Sequence, residues 1–234
     1  MSIELARRAA AELIGTAFLV ATVVGSGIAA QRLSPDDVGL QLLENSLATG
    51  AVLVALILAL QPVSASFNPV VTLVERALGR IGWADTGALV AAQVLGGALG
   101  AVVANLMFDL DAVTVSTKER AGGGLLLAEV VATLGLVLVV FGALRSERVE
   151  TVAFAVGGYI AAAYWFTSST SFANPAVTLA RTLSDTFAGI APGSVAMFVL
   201  MQLVGGVLGA AAVLLLHPEH RQPRHTERLE EAPR

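Results

Sequence analysis

Residues 172–181 read "FANPAVTLAR", and residues 67–76 read "FNPVVTLVER". Each puts an Asn-Pro dipeptide at the head of a helix-compatible segment, inside a chain otherwise apolar enough to sit in lipid. Asn is a favoured N-cap, and Pro suits the first helical position, where its missing N–H costs no hydrogen bond. The helices started this way are too short to cross a bilayer, which takes about 20 residues. The residues before them, "QPVSAS" and "TSSTSF", are small and hydroxyl-rich, as extended polar backbone would be. Such backbone is tolerated at membrane depth only where it lines a watery path or is buried in protein.

The rest of the chain is that of a membrane protein. Of its 234 residues 56% are hydrophobic and 14% charged, with mean hydropathy +0.77, against about 25% charged in a soluble domain. The net charge of -4 says little, because in membrane proteins the location of charge matters more than its sum. There is no cysteine, which excludes disulfides and thiol chemistry.

Six stretches are long and apolar enough, or nearly so, to span: roughly 8–30, 39–61, 84–107, 124–144, 150–167 and 192–216, the fifth being short. Arg7 and Arg8 precede the first without a small-residue cleavage site, so a retained span is expected there. An even count puts both termini on one side. Ten of the 14 basic residues fall on that side and four, Arg32, Lys118, Arg120 and Arg181, on the other. This bias predicts cytoplasmic termini in a multi-pass protein of the cell membrane.

The chain repeats itself. "AELIGTAFLV" (11–20) matches "AEVVATLGLV" (128–137), "FNPVVTL" (67–73) matches "ANPAVTL" (173–179), and "AQVLGGALGA" (92–101) matches "MQLVGGVLGA" (201–210), in the same order. Halves of three spans must be inverted relative to one another, so corresponding segments enter from opposite faces and meet near the middle. The expected architecture is an all-α membrane protein of six transmembrane helices and two re-entrant half-helices in inverted three-span repeats. One membrane domain, 8–216 with halves 8–107 and 124–216, follows a cytoplasmic N-terminus, 1–7, and precedes an unstructured cytoplasmic tail, 217–234.

Two half-helices meeting at their N-termini aim partial positive charge at one point, and the carboxamides of Asn68 and Asn174 can donate hydrogen bonds there. Such a site repels cations and bonds neutral, oxygen-bearing solutes. One Asn-Pro alone would be an ordinary turn between spans; two copies at matching places in an inverted repeat are not.

These residues resemble the aquaporin, or major intrinsic protein, family, marked by two Asn-Pro-Ala starts in inverted halves, and the likeness covers about 8–216. Asn174-Pro175-Ala176 matches fully; Asn68-Pro69-Val70 departs at Val70, whose bulk would loosen the contact between half-helices. The resemblance implies that Glu12 and Glu129 accept hydrogen bonds from the pore-loop backbone, the alternative being that each reaches water at an interface. It also implies a homotetramer with one pore per subunit. Gln93 and Gln202 open segments with Gly96, Gly100, Gly205 and Gly209 at four-residue spacing, which read as faces for close helix packing.

The family's outer constriction usually carries Arg directly after the second Asn-Pro-Ala; here that position is Val177. The other filter positions align with Thr49, with Ala161 to within a residue, and with Thr170 or Ser171, one residue being inserted before Asn174. Such small side chains predict a wider pore for solutes like glycerol or uncharged metalloid hydroxides. The alternative is that Arg181, Phe172 or Tyr164 folds inward and narrows it. Glu44 and Asn45 read as an interfacial polar pair, and His217, His220 and His225 as part of a solvated tail.

The function expected is passive conduction of water or small uncharged solutes across the lipid bilayer. The rival is a secondary transporter, which also uses inverted repeats and broken helices. With no cysteine, no His within the spans and no paired carboxylates at mid-depth, little is left to run enzymatic chemistry. No catalytic residue, metal, cofactor or nucleic acid partner is expected.

Overall fold

The computed structural model describes residues 2–145 and 151–217; His220, His225, Arg148 and the tail arginines lie outside them. Among the described residues eight α-helices follow in order: α1 (Ile3–Leu33), α2 (Val38–Leu60), α3 (Pro69–Ala77), α4 (Trp83–Met107), α5 (Gly123–Arg145), α6 (Val152–Phe166), α7 (Pro175–Ala180) and α8 (Pro192–Leu216). A 3₁₀ turn, Arg181–Leu183, continues α7. Among the described residues five helices are long and apolar enough to cross a membrane. The fifth span, α6, has 15 residues, about 22 Å at helical rise. The first span is longer than its hydropathy suggests, because Ser2 caps it at Leu5 N–H and "ELARR" continues the helix.

The halves repeat as the sequence does. α1 packs on α4 and α2, and α5 packs on α8 and α6. α2 meets α6 across the halves, while the half-helix α3 touches α7 and α8 and α7 also touches α4. Glycines set the close contacts: Gly96 and Gly100 lie on the backbone of Leu13 and Ala17, and Gly205 on that of Val130. A Cβ at Gly209 would sit 2.7 Å from Val137 Cβ. Without water to drive apolar association, such backbone proximity is what joins helices in lipid.

Polarity is inverted relative to a soluble domain. Phe18, Phe154, Val207 and Leu215 are exposed, whereas Glu12, Gln93, Glu129 and Gln202 are fully buried. Asn45 also turns inward, its Nδ2 donating to Val23 O (2.9 Å) and Ser26 Oγ (2.8 Å), so it ties α2 to α1. Glu44 accepts from Ser34 Oγ at 3.1 Å.

Candidate functional site

Both half-helices begin as Asn caps allow. Asn68 and Asn174 are extended, with Oδ1 accepting from Val70 N–H at 2.9 Å and from Ala176 N–H at 3.0 Å. The carboxamides then cross. Asn68 Nδ2 donates to Ala173 O and Asn174 Nδ2 to Phe67 O, both at 2.7 Å. A carboxamide carries two N–H donors, so each Asn keeps one for the cavity that both line.

The loops before the half-helices are held from behind. Glu12 Oε1 accepts from Ser64 Oγ (2.5 Å) and Ser66 N–H (2.8 Å), and Oε2 from Phe67 N–H (2.7 Å) and Gln93 Nε2 (2.8 Å). In the other half Glu129 accepts from Phe172 N–H (3.0 Å), Ala173 N–H (2.9 Å) and Gln202 Nε2 (2.6 Å). Each glutamine also donates to a half-helix hydroxyl, Gln93 to Thr72 at 2.9 Å and Gln202 to Thr178 at 2.8 Å. The glutamines thus join each span to its loop and half-helix, beyond the packing role of their glycine neighbours. The repeat carried that signal, since Gln93 with Thr72 and Gln202 with Thr178 occupy matching places.

A trans peptide points its C=O opposite to its N–H. With the N–H groups of Ser66, Phe67, Phe172 and Ala173 turned to the glutamates, the carbonyls of Ala65, Ser66, Ser171 and Phe172 face away from them. All four residues line the cavity. Forming this path takes strained backbone: Phe67 and Ala173 both have φ 46°, and Thr170 and Ser171 have φ 62° and 49°. Left-handed non-glycine residues cost about 1–3 kcal/mol each and persist where their surroundings hold them.

The cavity, about 300 Å³, runs from Arg8, Gln61 and Glu75 past the crossed asparagines to Tyr164 and Arg181. The loops and Asn side chains form one wall; Leu53, Ile57, Leu136, Val140 and Val156 form an apolar one. Thr49, Ser171 and Val177 lie on it. Ala161 does not: it packs against Gly50, where an added Cβ would come within 2.9 Å of the Ala161 methyl. Ile160 and Tyr164 line the cavity from α6 instead, with Tyr164 Oη 3.1 Å from Thr49 Oγ1.

The three groups expected as candidates for narrowing the pore, Tyr164, Phe172 and Arg181, all lie at the cavity. Arg181 is 2% exposed, donates from Nε to Ala188 O, and sets its guanidinium carbon 3.5 Å from the Phe172 ring centroid. Arg120, in the segment between the halves, lies 4.8 Å from the same centroid, with Nε bonded to Gly189 O (3.0 Å) and Nη1 to Ser169 O (3.3 Å). Burial lowers Arg120 to about 10, against the pull of Glu129 and Tyr164, which leaves it charged at neutral pH. Nothing in the local sequence marks Arg120 as buried; it folds inward because residues 114–118 bond to Leu183 O, Thr182 O and Ala191 N–H.

Val70 does not part the half-helices, since the crossing Asn bonds stay at 2.7 Å. Its extra methyl fits against Gly206, where no Cβ stands in the way. Gly206→Ala should therefore cost about 1–3 kcal/mol by overpacking, lowering Tm in detergent by about 2–10 °C. Adding Val70→Ala should restore most of the loss; an additive pair would show that the two do not share this space.

The family model for major intrinsic protein matches residues 1–151 and 143–232. The chain is 49% identical over 225 residues to aquaglyceroporin AqpS of Rhizobium meliloti (strain 1021), covering 95% of this chain and 96% of that protein. In fold it is similar to the X-ray structure of the aquaglyceroporin from Plasmodium falciparum, with TM-score 0.68 and 18% identity over 91% of this chain and 95% of that one. By its crossed half-helices and by these matches, the chain belongs to the major intrinsic protein family.

Proposed function

We propose that the chain is a passive channel for water and small uncharged solutes up to the size of glycerol or a neutral metalloid hydroxide. The observation that carries this reading is the cavity itself, which passes the free N–H groups of Asn68 and Asn174 and is flanked beyond them by Thr49, Ser171 and Val177. One wall offers carbonyls and amides to a solute's hydroxyls while the other is apolar, the two-sidedness a polyol presents in return. The relatives' naming as aquaglyceroporins supports the same solute class.

An ion-coupled transporter usually holds its coupling ion with an intramembrane carboxylate or a cage of carbonyls. Glu12 and Glu129 are fully buried, have their oxygens occupied by loop and glutamine donors, and lie off the cavity. The carboxylate that borders it, Glu75, sits late in α3, away from the asparagine pair. The bias of basic residues supports cytoplasmic termini, and the family resemblance supports a homotetramer with one pore per subunit.

The test is glycerol flux into proteoliposomes over a range of gradients. Flux should rise linearly with the gradient and ignore imposed Na+ or pH gradients. Saturation together with acceleration by either ion gradient would overturn the channel reading in favour of a transporter.

A further inference from the structure

The filter position that usually holds a fixed cation is Val177, and the structure shows a different one nearby. Arg181 follows Val177 by four residues, so the two share a helix face about 6 Å apart along the axis. Side chains on a helix lean toward its N-terminus, which carries the long Arg181 side chain back toward the level Val177 leaves vacant. Its guanidinium reaches the ring of Phe172, next to the cavity-lining Ser171.

A buried arginine with a purely structural role normally has a carboxylate partner. The ion pairs among the described residues are Arg7–Glu4 and Arg8–Asp85, so Arg181 has none. Its hydrogen bond is to Ala188 O, made through Nε, and its terminal nitrogens make no other among the described residues. Ser171 Oγ is likewise buried on the cavity wall without a partner. Arg120 brings a second positive charge to the same ring.

We propose that Arg181 is the selectivity cation of this pore, acting with the free hydroxyl of Ser171 in place of the family's usual arginine. Held against Phe172 and tied to Ala188, the guanidinium stands along the wall and not across the lumen. It therefore repels protons and cations and offers N–H donors, yet leaves the width beside Val177 open. This deepens the channel reading and rests on it.

The test compares wild type, Arg181→Met and Arg181→Met/Val177→Arg in proteoliposomes. Proton entry is followed with an entrapped pH dye under a K+/valinomycin potential, and water and glycerol fluxes by light scattering in the same vesicles. Wild type should admit protons no faster than protein-free vesicles. Arg181→Met should raise proton entry by about tenfold or more while still conducting water, and the double variant should return it toward wild type. Should Arg181→Met fail to reconstitute, Arg181→Gln replaces it, keeping a donor for Ala188 O without the charge. An uncharged variant as proton-tight as wild type overturns the proposal, and so does a wild type that leaks protons. A wild type with neither water nor glycerol flux would instead sink the channel reading itself.

Discussion

Glu12→Ala should strongly destabilise the folded pore. Its carboxylate gathers four donors, Ser64 Oγ, Ser66 N–H, Phe67 N–H and Gln93 Nε2, at 2.5 to 2.8 Å. Alanine leaves them without an acceptor in an interior where Glu12 is fully buried. An unsatisfied buried donor costs about 1–3 kcal/mol. Phe67 N–H and Gln93 Nε2 are the fully buried ones of the four, so these two alone cost about 2–6 kcal/mol, a drop in Tm of about 4 °C or more. Phe67 needs this anchorage most, since its left-handed backbone carries the carbonyl that receives Asn174. Glu12→Gln keeps an acceptor oxygen and should lose less. Thermal unfolding of the detergent-solubilised protein checks both, and an alanine variant as stable as wild type would mean that water or another group replaces the carboxylate.

Val177→Arg should suppress glycerol far more than water. Val177 lines the cavity together with the small Thr49 and Ser171. A guanidinium there would fill that width and stand one turn from Arg181, with which it shares charge as well as face. We expect glycerol permeability to fall by about tenfold or more, equivalent to about 1.4 kcal/mol of added barrier, with a smaller fall for water. Stopped-flow light scattering reads both. Unchanged glycerol permeability would show that the narrowest point lies elsewhere, with Tyr164 or Phe172 the next positions to vary.

The elements that set the fold were legible because each leaves a local mark. A single Asn-Pro suits a surface turn as well as a capped helix start, and its recurrence with matching flanks decided between them and marked the inverted halves. The packing glycines were equally plain from their four-residue spacing. Lining residues were harder, because a helix turns about 100° per residue. Ala161 and Ile160 differ by one position, and it is Gly50 that draws Ala161 into the α2–α6 contact and leaves Ile160 and Tyr164 on the cavity. Val70 is hard to read for a similar reason: its size matters only relative to Gly206, far away in sequence. Arg181 and Arg120 were the least legible. Their directions depend on Phe172, Ala188, Gly189 and Ser169, all of them loop groups brought together by the fold.

The claim that this is a pore open to solutes beyond water is tested most directly on the unmodified chain. Proteoliposomes would be mixed in a stopped-flow instrument first with sorbitol and then with glycerol, with light scattering followed against protein-free vesicles. Faster shrinkage in sorbitol and faster re-swelling in glycerol are expected, both due to the protein. Acceleration of water alone would contradict a pore open to solutes beyond water, and would mean that the guanidinium and rings at the outer end close the lumen that Val177 leaves wide.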